Sequence, residues 1–237
     1  MGESINKYRN NARPTRRAYI QPDTKVKVKN VNTAKVDAYN KRQEAKRDIY
    51  GGKDAKLVEN LKATERAWGL EDSPIEKAKT YNEGGTLQFV NDRGTPHSVS
   101  VPMWARTNNT VTHIHPSTKR KYGVDDIAAR IGTPLSPTDV KNAIIAGQRE
   151  TRAVAPGYTF SMRPKDGNNW NVSSRQWTTA YNKAMYEAEN RFGRVLYRAM
   201  GTPHYMTALS RFNVVTQDYA LRTAAKRLGL TYTRAKR

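Results

Sequence analysis

Thr112-His113-Ile114-His115-Pro116, followed by Ser136-Pro137-Thr138-Asp139, decides how this chain is read. Side chains alternate along a strand, so two histidines separated by one residue share a face, and Ile114 is sent to the opposite, apolar side. With Asp139 they offer two imidazoles and a carboxylate, a set that leaves a coordination position open for water around a catalytic zinc. Half of the four histidines in the chain lie in this tripeptide. Ser136-Pro137-Thr138-Asp139 is also a sound helix start, with a serine N-cap, proline at N1 and an acidic N3. The two roles are compatible.

Around this segment the texture is that of an α+β domain with a mainly antiparallel sheet. Strands are expected at Thr86–Val90, Ser98–Val101 and Thr110–His113, with turn residues at Asn91–Gly94. Helices are expected from Val124 to Ile131 and from Pro137 to Ala146, the second ending at Gly147. Arg152–Ala155 and Tyr158–Met162 flank Pro156-Gly157 as a hairpin. We divide the chain into an extended basic arm (1–33), a helical segment (34–80), the α+β domain (81–167) and a basic helical C-terminal region (168–237).

In the helical segment, Gly51-Gly52 separates a helix ending near Tyr50 from one holding Leu57, Leu61 and Trp68. Ser73-Pro74-Ile75-Glu76 has the order of a further helix start. In the C-terminal region an apolar stripe runs through Trp177, Tyr181, Ala184, Met185, Ala188, Phe192, Val195 and Leu196, and Pro203 ends it. A second helix carries Leu209, Phe212, Val215, Tyr219 and Leu228 before Gly229.

The 237 residues carry 42 Lys+Arg against 21 Asp+Glu, a net charge of +21. The excess is uneven, at +8 over residues 1–80, +4 over 81–167 and +9 over 168–237. With a mean hydropathy of -0.86, the ends are solvated charge or contacts for a polyanion or an acidic partner. The residues expected to make such contacts are Arg13, Arg16, Arg17, Lys25, Lys27 and Lys29 in the arm, and Arg234, Lys236 and Arg237 at the other end. Any nucleic-acid contact would be to the backbone, without sequence reading. There is no cysteine, which excludes disulfides, thiolate metal sites and a cysteine nucleophile. No window suits a signal peptide or a bilayer span, so the expected location is a virion or the cytoplasm.

A hydrolase built on zinc needs a base for the attacking water and a donor for the developing oxyanion. Glu83, in Asn82-Glu83-Gly84-Gly85, is the carboxylate expected on an adjoining strand, and Ser136 is the donor candidate. In this order Glu83, His113-Ile114-His115-Pro116 and Ser136-Pro137-Thr138-Asp139 resemble the JAMM motif of metalloproteases in the JAB/MPN domain family, which is an upstream Glu, His-x-His-Pro and Ser-x-x-Asp. The resemblance covers roughly residues 81–163, with residues 117–135 read as an insertion. It implies an α+β JAB/MPN-like fold, zinc held by His113, His115 and Asp139, Glu83 as general base and Ser136 as oxyanion donor. The implied activity is peptide or isopeptide hydrolysis, and phage-encoded relatives point to a large assembly of virion proteins. The alternative is a non-catalytic structural protein of a phage particle, using the domain as a packing module and its basic arms to hold neighbours or nucleic acid.

Overall fold

The computed structural model describes residues 49–70, 73–117, 131–165 and 169–237. The expected arm over 1–33, with Arg13, Arg16, Arg17, Lys25, Lys27 and Lys29, lies outside the described residues. So do the helix expected before Tyr50 and that expected over 124–130.

Six strands form one sheet in the order β2-β1-β3-β4-β5-β6. They are β1 (Ala78–Tyr81), β2 (Leu87–Asn91), β3 (Thr110–Ile114), β4 (Glu150–Val154), β5 (Tyr158–Pro164) and β6 (Leu230–Lys236). Only the central β3–β4 pair is parallel; every other pair is antiparallel. Every residue of β3 and β4 is buried, as expected of a parallel pair covered on both faces. Among the described residues the helices are α1 (Ala55–Leu70), the single turn α2 (Met103–Arg106), α3 (Pro137–Ala146), α4 (Ser174–Ala199) and α5 (Tyr205–Arg227). Among the described residues no helix is long and apolar enough to cross a membrane.

Strand alternation assigns the two faces. Residues Ala78, Val111, His113, Ala153, Phe160 and Met162 share one face, since Ala78 pairs with His113, His113 with Ala153, and Ala153 with Phe160. The main core forms there, where Phe160 and Met162 meet Val140 of α3, Trp177 of α4 and Leu221 of α5. The other face carries Ile114 and Val154, which pack against Trp68 of α1, while Leu57 and Leu61 of the same helix cover Tyr81. The Leu57, Leu61, Trp68 spacing seen in the sequence therefore makes the buried stripe of α1.

Three expectations are corrected. Ser73-Pro74-Ile75-Glu76 starts no helix: Ser73 Oγ donates to the Ile75 carbonyl at 2.8 Å, closing a tight turn that leads into strand β1. Ser98–Val101 forms no strand; Ser98 makes an isolated bridge with Thr95, and Val101 is buried against Ala105 of α2. The basic end of the chain is a strand rather than a helical tail. Tyr232 donates to Asp218 Oδ1 at 2.8 Å and Arg234 to Asp218 Oδ2 at 3.0 Å, tying β6 to α5. Arg237 donates to the carbonyls of Ala155 and Arg66 at 3.4 and 3.3 Å. Arg234 and Arg237, expected to contact a polyanion, thus hold the end of the chain to the fold. The core also runs across the expected 167/168 boundary, joining Leu135 and Val140 to Trp177, Leu221 and Leu230.

The stripe of α4 is fully buried only as far as Ala188. Trp177, Tyr181, Ala184 and Ala188 are covered, whereas Val195 is 63% exposed.

Candidate metal centre

His113 is on β3 and His115 follows the strand, and the alternation that places them on one face brings their Nε2 atoms to 2.9 Å. Asp139 Oδ2 lies 3.4 Å from His113 Nε2 and 3.6 Å from His115 Nε2. The carboxylate is placed by a capping box: Asp139 N donates to Ser136 Oγ at 3.1 Å, and Ser136 N donates to Asp139 Oδ2 at 2.7 Å. The helix start read from the sequence is thus what places the Asp139 carboxylate beside the two histidines.

His115 Nδ1–H donates to the Thr133 carbonyl at 3.1 Å, which turns Nε2 toward the cluster. Thr133 is set by Gly132, whose φ of 82° suits glycine. A Cβ there would stand 2.5 Å from Ala155 Cβ and 2.6 Å from Pro156 Cδ, so the segment lies directly on the β4–β5 turn.

The carboxylate that joins the histidines is Glu76. Ligand atoms of Glu76, His113 and His115 lie within 4.8 Å of one another. Glu76 stands just before β1, and because Ala78 pairs with His113 the β1–β3 ladder carries it to the histidine end of β3. Its backbone is pinned further, since Glu76 N donates to the Thr95 carbonyl at 2.8 Å. Gly94 lies against the Glu76 carbonyl so closely that a Cβ would overlap it. Gly94→Ala is therefore expected to displace the Glu76 backbone and to lower metal affinity by about tenfold or more, in the range seen when a positioning contact is lost. Competition titration with a zinc chelator measures this.

Glu83, the expected base, is elsewhere. It is in the β1–β2 turn, 70% exposed at its side chain, and accepts a 2.7 Å ion pair from Arg149. It does not line the cavity that holds the histidines. Glu76 escaped the sequence reading because Ser-Pro-Ile-Glu looks like a capping sequence; the signal that could have found it is a glutamate two residues ahead of a strand that pairs with the histidine strand.

The charges are coupled. Burial alone would lower the His115 pKa, but Asp139, by hydrogen bond and charge, together with Glu76 and the Thr133 carbonyl, raises it to about 9. Burial would likewise raise the Asp139 pKa, yet His113 and His115 hold it well below the usual carboxylate range. Two imidazole nitrogens and the Glu76 carboxylate close to one another, without a thiolate, are a donor set suited to zinc and other borderline divalent cations. The cluster opens into a cavity of about 680 Å³ running along the same face of β3, with Val111 and Thr151 on its wall and Ser136 and Asn142 above the metal end.

No protein-family model, curated protein or solved structure matches the chain. The class of the protein therefore rests on the site itself.

Proposed function

We propose that this protein is a zinc-dependent amide hydrolase of the JAMM type, a peptidase or isopeptidase with a JAB/MPN-like fold. The observation that carries the reading is the gathering of Glu76 with His113 and His115, and of Asp139 with the same two imidazoles, on the wall of an open cavity. The ordered motif supports it with Glu76 in place of Glu83. His113, His115 and Asp139 would hold the ion. A bound zinc supplies Lewis acidity and brings the pKa of water toward neutrality.

The remaining work belongs to the chain. Glu76 takes the proton of the attacking water and delivers it to the leaving amine. Ser136 Oγ already accepts from Asp139 N, so its own hydrogen is free to donate to the oxyanion. Thr133 keeps His115 in the tautomer that presents Nε2.

The test is zinc content per chain by elemental mass spectrometry, in wild type and His115→Ala. One zinc in wild type, lost in the variant, is the expected result; a zinc-free wild type refutes the reading. The raised His115 pKa adds a second readout. A raised pKa favours a proton on the metal-free imidazole, and an ion bound at Nε2 displaces it, so zinc binding is expected to release protons. Calorimetry in two buffers of different ionisation enthalpy measures this release.

A second reading, the structural component of a phage particle, is favoured by the far ends of α4 and α5. Helix α4 is about 39 Å long, its second half exposes Val195 and Tyr197 beside Arg191, Arg194 and Arg198, and exposed Met200 follows it. Exposed apolar side chains of this kind suit packing in an assembly. The two readings share one fold, and the zinc measurement separates an intact site from a scaffold.

A further inference from the structure

The cavity continues past the metal cluster to an end that the hydrolytic chemistry does not use, and two polar residues stand there. Arg106 closes α2, which is anchored by fully buried Ala105 in a cluster with Ala78 and Val111. Gln148 precedes β4, and its backbone is fixed on both sides: its N–H donates to the Ala143 carbonyl at 3.0 Å, and its carbonyl accepts from Trp170 Nε1 at 2.7 Å. Two backbone hydrogen bonds, Asn108 N to Gly147 O and Arg149 N to Asn109 O, both 3.0 Å, tie the two loops together. Arg106 and Gln148 are thereby brought to the same cavity wall.

Each lacks a counterpart. Gln148 is 3% exposed, and its Oε1 is buried with no hydrogen-bond partner among the described residues. A buried acceptor left unpaired carries a desolvation penalty that a ligand donor removes. The Arg106 guanidinium has no hydrogen-bonding or ion-pairing side chain among the described residues. Burial lowers its pKa, which the Asp139 charge opposes. An acceptor for an N–H and a cation lining one pocket are complementary to an amino-acid residue that carries a carboxylate.

We propose that this end of the cavity is a specificity subsite for a substrate residue bearing a carboxylate beside an amide N–H, with Arg106 paired to the carboxylate and Gln148 Oε1 accepting the N–H. The inference deepens the metallohydrolase reading and rests on it. The carboxylate has two sources, a free C-terminus or an acidic side chain. In either case the scissile bond is the amide that joins this residue to the rest of the substrate. Asp139 acts on Arg106 through its charge but makes no ion pair with it, its carboxylate lying against His113 and His115.

The test is calorimetric titration of the full, zinc-loaded chain with three probes. N-acetylglycine carries a terminal carboxylate, N-acetylglutamic acid α-amide a side-chain carboxylate, and N-acetylglycinamide none. One of the two acids is expected to bind at least about tenfold more tightly than the neutral amide, and which one identifies the source. Arg106→Gln is expected to abolish that preference and Arg106→Lys to keep part of it. Gln148→Leu is expected to weaken the acid severalfold, with zinc content unchanged in all three variants. Equal binding of the three probes, or a preference that survives Arg106→Gln, overturns the proposal. The same titrations on chelated protein separate the two claims. A preference lost on chelation but indifferent to Arg106 puts the carboxylate on the ion, which defeats the subsite and leaves the hydrolase reading intact. A wild type that holds no zinc but keeps an Arg106-dependent preference defeats the hydrolase reading and leaves the subsite standing.

Discussion

Glu76→Gln is expected to leave one zinc per chain and to reduce amide hydrolysis by about 10²- to 10⁴-fold, the range for removing a positioned general base. The geometry separates the two effects. On the proposed reading His113, His115 and Asp139 remain to hold the ion, and the amide keeps the size and backbone contacts of the glutamate, so the backbone N–H of residue 76 still donates to Thr95. What the amide cannot do is accept a proton. Glu83→Gln is the paired control: Glu83 is exposed and bound to Arg149 outside the cavity, so hydrolysis is expected to stay within about twofold of wild type. Cleavage of a mixed peptide library, read by mass spectrometry with zinc content measured on the same samples, compares the two. Full loss in Glu83→Gln with Glu76→Gln active would restore Glu83 as the base and take Glu76 out of the chemistry.

The assignment moved from Glu83 to Glu76 because of how local and long-range signals compete. Strand β3 and helix α3 were legible because their rules are local. His-x-His needs only alternation, and Ser136-Pro137-Thr138-Asp139 with Gly147 brackets a helix whose limits, Pro137–Ala146, match the structure. The β4–β5 hairpin around Pro156-Gly157 is of the same kind. Strand β1 has no such mark. Ala-Lys-Thr-Tyr is short, follows a capping-like tetrad, and becomes a strand because β2 and β3 flank it on both sides. No local pattern announces that Ala78 will pair with His113, and the placement of Glu76 depends on that pairing.

The C-terminal strand shows the same competition in charge. Leu230-Thr-Tyr-Thr-Arg-Ala-Lys236 carries an alternation that its basic residues disguise as a tail. Asp218 decides the matter, since one buried carboxylate on α5 receives Arg222, Tyr232 and Arg234. In the sequence Asp218 is an ordinary acidic residue of a helix. Its role exists only once α5 and β6 are folded together, and the cavity end at Arg106 and Gln148 is equally a product of two loops far apart in the chain.

Arg152→Met is expected to destabilise the fold by about 3–5 kcal/mol, because it strands carboxylates on the face of the sheet away from the cavity. Arg152 is fully buried in β4. It donates to Glu65 of α1 at 2.6 Å, to Glu150 at 2.7 Å and to the Ile49 carbonyl at 3.1 Å, and it lies over the Tyr50 ring. Glu150 also receives Lys53 at 3.1 Å and the Ser161 hydroxyl, and Tyr50 donates to Glu65 at 2.6 Å. The guanidinium therefore joins β4, α1 and the 49–53 turn. Methionine fills much of its volume but leaves Glu65 and Glu150 with less positive charge than they were buried to meet. For a chain of this size the loss corresponds to a fall in Tm of about 10 °C, measurable by calorimetry. The pH dependence identifies the cause. Burial would raise the Glu150 pKa, but Arg152, Lys53 and Ser161 hold it below its ordinary value. In the wild type its stabilising contribution is therefore present above the ordinary glutamate pKa and is lost as pH falls through the lower folded value. In the variant the stranded carboxylates are relieved by protonation, so the gap between variant and wild type is expected to narrow from pH 7 to pH 4. Neutralising the partners as well, in Glu65→Gln, Glu150→Gln, Arg152→Met, is expected to recover part of the loss at pH 7. A gap that is constant with pH and unimproved by the triple change would assign the cost to packing rather than to buried charge.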